Sequence, residues 1–407
     1  MCTSAEPQET AACFEGYRII ETGIKHGTVT VMSEGNPIEI TTYRIDGDYK
    51  DCRHPESVSF TKNIKEDLLR RDFTVNAMAY SHKRGFVDCC GSREDIDRGI
   101  IRCVGSAEER FNEDALRIMR CIRFSAVLKF DVESETEKAA KRFAVNLESI
   151  SRERIWTEFV KMMSAKDGEY LACVLRKFTS VLEVIMPQIK LSVGFPQNNR
   201  HHCMDVWEHI LCAVSHSKDD VVLRIALLMH DLGKPKTHTV DENGESHFKK
   251  HPAESEIIAR EILTSLKADN KTKETVALLV KHHDDRIENS DACVKRWLGK
   301  LGEENFFRLI EMKKADISAH KGEYIKSGLE MCEALCGTAK RILEEKQCFR
   351  LKDMKINGND IKKLGVKDGK MIGNVLNILL EEVINENIKN EHETLVGAAR
   401  DIIDGNR

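Results

Sequence analysis

Proline is scarce in this chain, 7 of 407 residues, and glycine is modest at 24. Chains that stay disordered are poor in apolar residues and rich in such breakers. With 41% hydrophobic and 32% charged residues, the sequence expects instead a soluble, helix-rich protein of more than one domain. No run approaches the roughly 18 apolar residues of a membrane-spanning helix, so no membrane is expected. The first residues, Met1 to Gly16, lack both a basic start and an apolar core, and so do not read as a secretory signal. The fourteen cysteines contain no C-x-x-C; they read as reduced, core-filling thiols of a cytoplasmic protein. Nor is there an excess of positive charge. Lys and Arg number 63 against 67 Asp and Glu, a net of −4. Any nucleic-acid site must therefore be a local patch.

What is there begins with Leu68-Leu69-Arg70-Arg71-Asp72-Phe73-Thr74-Val75-Asn76-Ala77-Met78-Ala79-Tyr80. Arginine offers a planar fork of donors suited to phosphate, and aspartate offers acceptors suited to a ribose hydroxyl. By themselves these residues also read as a charged helix end running into a buried segment. The string resembles the R-R-D-F-T-x-N-A-x-A motif of class II tRNA nucleotidyltransferases, the family of CCA-adding enzymes and bacterial poly(A) polymerases. The resemblance implies that Arg70, Arg71, Asp72 and Asn76 bind the sugar and phosphates of an incoming nucleotide. Upstream, Thr28–Met32 and Ile38–Arg44 are β-rich and joined by Glu34-Gly35-Asn36-Pro37, a hairpin signal. Ile38 and Ile40 share one strand face, so Glu39 points to the other. Spacing alone makes Glu39 a surface glutamate; the resemblance makes it the third active-site carboxylate. The family's palm begins with G-G-x-V-R-D and then D-x-D, whose aspartates hold Mg2+. Here Met1-Cys2-Thr3-Ser4-Ala5 stands about where the residues after D-x-D fall, which implies a chain truncated before its main metal ligands, with transfer activity in doubt. Asp46-Gly47-Asp48 and Asp51 follow the Glu39 strand and read as a turn rather than a replacement. A missing first segment is expected to leave an exposed edge near Thr28–Met32.

Arg110–Phe124 reads as a helix with Leu116, Met119, Ile122 and Phe124 on its apolar side. Asp114 and Arg117, three apart, read either as a surface ion pair or as a base reader. An aspartate accepts from the exocyclic amine of C or A while an arginine donates to the neighbouring ring position. The family's E-D-x-x-R motif matches Glu113, Asp114 and Arg117, and the resemblance implies selection of CTP and ATP there, with Arg120 and Arg123 beside it. Ser151-Arg152-Glu153-Arg154 expects an N-cap, with Ile155, Phe159 and Met162 as a core stripe; it resembles an element of the family's neck.

From Gly194 the character changes. Asn198–His202 reads as a polar boundary, and Val221–Met229 is apolar nearly all round, a buried helix ending at His230-Asp231-Leu232-Gly233-Lys234-Pro235. A buried aspartate must be paired or bind metal. His209, His230, Asp231 and Asp316 match the residues that define an HD-type phosphohydrolase. His251 and one of His282 and His283, with His282 preferred, match the additional ligands of two-metal versions. Imidazole and carboxylate suit a divalent transition metal such as Mn or Ni; the remaining His247 and Asp284 are further candidates. After residue 320, glycines and lysines around Asn357–Lys370 suit phosphate contacts. Ile372, Val375, Leu376, Leu379 and Val383 form a core stripe.

The sequence thus expects an α+β, mostly helical fold with a partial polymerase-β-like palm sheet. Its parts are a head over 1–104, a neck over 105–193, an HD domain over 194–320 and a helical tRNA-binding tail over 321–407. The function implied by the resemblance is addition of CCA to tRNA 3′ ends from CTP and ATP. The rivals are an HD phosphohydrolase alone and a catalytically dead tRNA-binding protein.

Overall fold

The structure is a computed structural model and describes residues 1–21, 23–24, 27–47, 58–198 and 204–405. It is mostly helical with small sheets. The chain divides into two compact units, Met1–Leu191 with Glu261–Asp269 and Ser192–Arg260 with Asn270–Arg407.

In the first unit a four-stranded sheet comprises β1 (Cys2–Thr3), β2 (Arg18–Ile20), β3 (Thr28–Ser33) and β4 (Asn36–Thr42), in the order β1-β4-β3-β2. Only the β1–β4 pairing is parallel. The β3–β4 turn is two residues, Glu34 and Gly35, both with positive φ (50° and 81°). That is the turn whose twist matches right-handed strands, and glycine enters it without a Cβ penalty. Alternation puts Val29, Val31 and Ile40 on a buried face against Phe14 and Ile19. Glu39 stands exposed on the other. Two expectations are corrected. The Thr28–Met32 segment is not an edge, because β2 pairs along its outer side. The strand of Glu39 stops at Thr42, and Arg44 opens a separate strand, Arg44–Asp46, paired with Val58–Phe60. The Arg44 amide donates to Asp67 Oδ1 at 3.3 Å, which draws the chain toward helix Ile64–Leu69 and out of the first sheet. Asp48 and Asp51 lie outside the described residues, as does the Asp46 side chain.

Next come a hairpin, Met78–Ser81 and Gly85–Asp88, and the helices Ala107–Glu113, Leu116–Leu128 and Arg152–Met163. The last two pack against each other, and Ile118, Met119 and Ile122 on one and Ile155, Phe159 and Met162 on the other are all fully buried. The expected single helix across Arg110–Phe124 is broken at Asp114, whose φ of −142° and ψ of 103° are extended. Ser151 begins its helix but makes no side-chain cap bond.

In the second unit helices Val206–Ser215, Val221–Met229, Asn270–His282 and Glu303–Ser318 pack on one another. Asp205 and Asp220 cap the first two, accepting from the amides of Glu208 and Leu223. Gly233 does not end its helix in a left-handed turn. It allows a close approach instead: a Cβ there would sit 2.6 Å from Ser255 N and 2.7 Å from His251 O. Toward the C-terminus Ile372, Val375, Leu379 and Val383 are buried with Leu395 and Ala399, while Leu376 is partly buried. Of the expected polar boundary Asn198–His202, residues 199–202 lie outside the described residues.

Candidate nucleotide cleft and metal-ligand cluster

The bend after helix Ile64–Leu69 lifts Arg70, Arg71 and Asp72 to the wall of an open cleft of about 1030 Å³. Thr28, Thr41, Asn76, Tyr80, Asp114, Arg117, Arg120 and Arg154 line it as well. Glu39 shares a strand face with Thr41 but is not among the lining residues. Asp67 organises the two arginines: its Oδ1 accepts from Arg70 Nη2 at 2.6 Å and its Oδ2 from Arg71 Nη2 at 3.0 Å. Burial works against charge on Asp67, yet the Arg70 and Arg71 guanidinium groups outweigh it and hold the carboxyl below its usual value. Asp72 is 8% exposed. Its Oδ2 takes Arg120 Nε and Nη2 at 2.7 and 2.6 Å, and its Oδ1 takes the Phe73 amide at 3.0 Å.

Asp114 and Arg117 both face the cleft, but not as a mutual pair. The interruption of the helix at Asp114 gives each its own partner. Asp114 Oδ1 accepts from the Leu116 amide at 3.0 Å and Oδ2 from Arg154 Nη2 at 3.1 Å. Arg117 Nη1 donates to Glu113 Oε2 at 2.5 Å and to the Arg110 carbonyl at 3.1 Å. Arg123 does not reach the cleft lining. One turn beyond Arg120, its Nε donates to Glu158 Oε2 at 2.5 Å, and its guanidinium carbon lies 3.9 Å from the Phe124 ring centre. Arg154 is the cleft residue that sequence reasoning passed over. It stood out only as part of a helix start, and nothing in the spacing ties it to a residue 40 positions away.

In the second unit, helix packing brings His209, the adjacent His230 and Asp231, and Asp316 together from three distant parts of the chain. His209 Nε2 lies 2.8 Å from Asp316 Oδ1 and 3.4 Å from Asp231 Oδ2. His230 Nε2 lies 3.3 Å from Asp231 Oδ2 and 3.4 Å from Asp316 Oδ1. A second group shares Asp231: His251 Nε2 is 3.2 Å from its Oδ1, and His283 Nε2 is 3.6 Å away. The histidine beside His251 is therefore His283, not His282. On helix Asn270–His282 the latter turns to Asp285 Oδ2 at 2.6 Å. His247 pairs with Asp241 at 3.0 Å, and Asp284 is exposed.

The tautomers can be read from the partners. Nδ1 of His230, His251 and His283 each faces a backbone carbonyl, of Leu227, Phe248 and Val280, at 2.7, 2.9 and 2.7 Å. A carbonyl only accepts, so each Nδ1 carries a proton and each ring turns Nε2 into the cluster, the atom that offers a lone pair to a cation once any proton on it is released. His251 Nε2 and His283 Nε2 approach to 3.1 Å. Neither oxygen of Asp231 nor His230 Nε2 makes a hydrogen bond of good geometry, although all are buried. Lys234 Nζ, 2.6 Å from Asp231 Oδ2, is the one ammonium among these contacts. Converging acceptors of this kind fit divalent cations. Burial opposes charge on His230, but the Asp231 carboxylate prevails and raises its pKa to about 10. Asp231 and Asp316 stay well below the usual carboxylate range: burial opposes this, and His230 on the one and His209 on the other outweigh it.

Residues 1–102 match the family described as the Poly A polymerase head domain. Residues 129–192 match a "Probable RNA and SrmB- binding site of polymerase A", and residues 253–399 a putative tRNA nucleotidyltransferase domain 2. Head sheet, arginine-lined cleft and these matches together define a template of the nucleotidyltransferase class. The CCA-adding enzyme of Ligilactobacillus salivarius is 30% identical over 99% of this chain and 88% of its own length. That of Bacillus cytotoxicus is 31% identical over 98% and 88%. The crystal structure of the Bacillus stearothermophilus CCA-adding enzyme in complex with CTP superposes with a TM-score of 0.69, at 26% identity over 100% of this chain and 88% of that one. The chain belongs to the CCA-adding enzymes, a family of tRNA nucleotidyltransferases.

Proposed function

We propose that the cleft of the first unit selects CTP and ATP for addition to the 3′ end of tRNA. The observation that carries this is the joint presence in one cleft of Arg71 and Asp72 with Asp114, Arg117 and Arg154. Arg71 suits phosphate and Asp72 a ribose hydroxyl. Arg117, held by Glu113, presents a fixed fork to a base edge, and Asp114 supplies an acceptor for an exocyclic amine. Family membership and the relative solved with CTP support the same reading. Glu39 is the carboxylate assigned to Mg2+ in the head. Among the described residues, however, the groupings of three or more metal-ligating side chains fall in the second unit. Glu39 alone does not fit that ion, because Mg2+ needs several oxygen ligands. Binding is therefore the test: equilibrium titration with the four nucleoside triphosphates, each without and with tRNA. CTP and ATP should bind more tightly than UTP and GTP; equal binding of all four would overturn the reading.

The Nε2 convergence on Asp231 favours a second proposal, that residues 194–320 form an HD-type site holding a divalent transition metal such as Mn or Ni. His209, His230, Asp231 and Asp316 would hold one ion, with His251 and His283 joining through Asp231 for another. Such an ion acidifies bound water for attack on phosphorus. In this reading residues 1–104 are the head, 105–193 the neck and 321–407 the tRNA-binding tail. No helix among the described residues is long and apolar enough to cross a membrane, and a cytoplasmic setting accords with the family's tRNA substrate.

A further inference from the structure

The hairpin Met78–Ser81 and Gly85–Asp88 carries a feature that nucleotide selection does not use. Tyr80 and Phe86 are directly opposed across its two strands. Their ring centres lie 4.9 Å apart at 48°, and they remain 63% and 58% exposed. A cross-strand aromatic pair stabilises a hairpin only weakly, which does not account for leaving two large rings in water. The turn between them is His82, Lys83 and Arg84, all exposed, and the Arg93 guanidinium lies 5.5 Å from the Phe86 ring centre. The one carboxylate in this stretch is engaged. Asp88 accepts from the amides of Cys90, Ser92 and Arg93 at 3.1, 3.0 and 3.0 Å. The patch is thus aromatic and basic in a chain whose net charge is −4. It is also continuous with the nucleotide cleft, because Met78, Ala79 and Tyr80 line that cleft while Phe86 does not.

We propose that this hairpin is a stacking platform for an unpaired nucleotide at the 3′ end of the acceptor RNA, with Phe86 and Tyr80 against the base and Lys83, Arg84 and Arg93 on its phosphates. The proposal rests on the reading of the cleft as the nucleotide site, since it places the RNA end beside the bound triphosphate. Aromatic rings accept any base face, so the platform holds the end in position without choosing its sequence, while the basic side chains supply salt-dependent attraction.

The test uses the full chain and two RNAs at one salt concentration: a tRNA with an unpaired 3′ end, and the same tRNA trimmed to a blunt acceptor stem. Phe86→Ala should weaken binding of the first roughly tenfold and leave the second and CTP as in the wild type. Phe86→Trp should restore the first. Replacing Lys83 and Arg84 together by Ala should weaken both RNAs and flatten their salt dependence. The platform is overturned if Phe86→Ala leaves the first RNA unchanged, weakens both equally, or alters self-association in place of RNA affinity. A wild type that binds RNA but does not distinguish CTP from UTP refutes the cleft reading instead, and the two failures are separate measurements.

Discussion

Asp114 and Arg117 show how a short spacing can name the right residues and the wrong contact. The i,i+3 separation suggests a mutual ion pair on one helix, whereas the extended backbone at Asp114 sends each to another partner, Arg154 and Glu113. Local spacing could not reveal Arg154, because its tie to Asp114 is tertiary. A fork held by Glu113 makes the shape of Arg117 matter more than its charge. Arg117→Lys should therefore lose CTP and ATP together, by about 1–3 kcal/mol for a bidentate contact, whereas Asp114→Ala should in addition relax rejection of UTP. Titration with all four nucleotides checks both, and unchanged selectivity in the two variants would remove the pair from base recognition. Asp67, which the sequence did not mark at all, has a pH consequence. Its folded pKa lies below its ordinary 3.8 through Arg70 and Arg71, against the opposing effect of burial. A depressed carboxyl contributes stability above the unfolded value, and that contribution is lost as pH falls through the folded one. Urea unfolding at about pH 6 and about pH 3 should show a larger acid loss in the wild type than in Asp67→Asn. An equal loss would mean that the two arginines do not hold the charged form.

At the scale of elements, the helices were legible where apolar residues recur at 3.6 and hidden where side chains override periodicity. Val221–Met229 reads as buried from its sequence and is so from Leu223 onward. The break at Asp114 was invisible because its carboxylate accepts from the Leu116 amide at 3.0 Å, a local bond that ends one helix and starts the next. Strand β4 stops at Thr42 for a tertiary reason, the pull of Asp67 on the Arg44 amide. The packed pair Leu116–Leu128 and Arg152–Met163 supports the cleft wall, since one carries Arg117 and Arg120 and the other Arg154. Ile118, on the first of them, is fully buried. Ile118→Ala should therefore cost about 2–5 kcal/mol of stability and weaken CTP binding only through the unfolded fraction. Denaturation midpoint and nucleotide affinity, measured on the same sample, separate the two. An intact midpoint would mean that this seam relaxes around the lost side chain.

Over the whole molecule, the histidines could be nominated from sequence but not sorted. His282 and His283 are adjacent, and only the orientation at the end of helix Asn270–His282 decides which one meets Asp231. That choice makes the metal proposal testable through stability rather than catalysis. A ligand that binds the folded unit alone stabilises it by about 2.7 kcal/mol at a hundred times its Kd. For a unit of this size, 1 kcal/mol moves Tm by about 2–4 °C, so saturating Mn2+ or Ni2+ should raise the melting of the second unit by about 5–11 °C. A chelator should reverse the shift. Asp231→Ala should abolish it, because both ligand groups share that carboxylate. His283→Ala should reduce it, while His282→Ala should leave most of it, since the His282 ring is directed to Asp285. His247→Ala, whose ring pairs with Asp241 outside both groups, controls for the loss of any histidine. A wild-type melting curve indifferent to added metal and to chelator would contradict the convergence of lone pairs on Asp231. Equal effects of His282→Ala and His283→Ala would contradict the assignment between them.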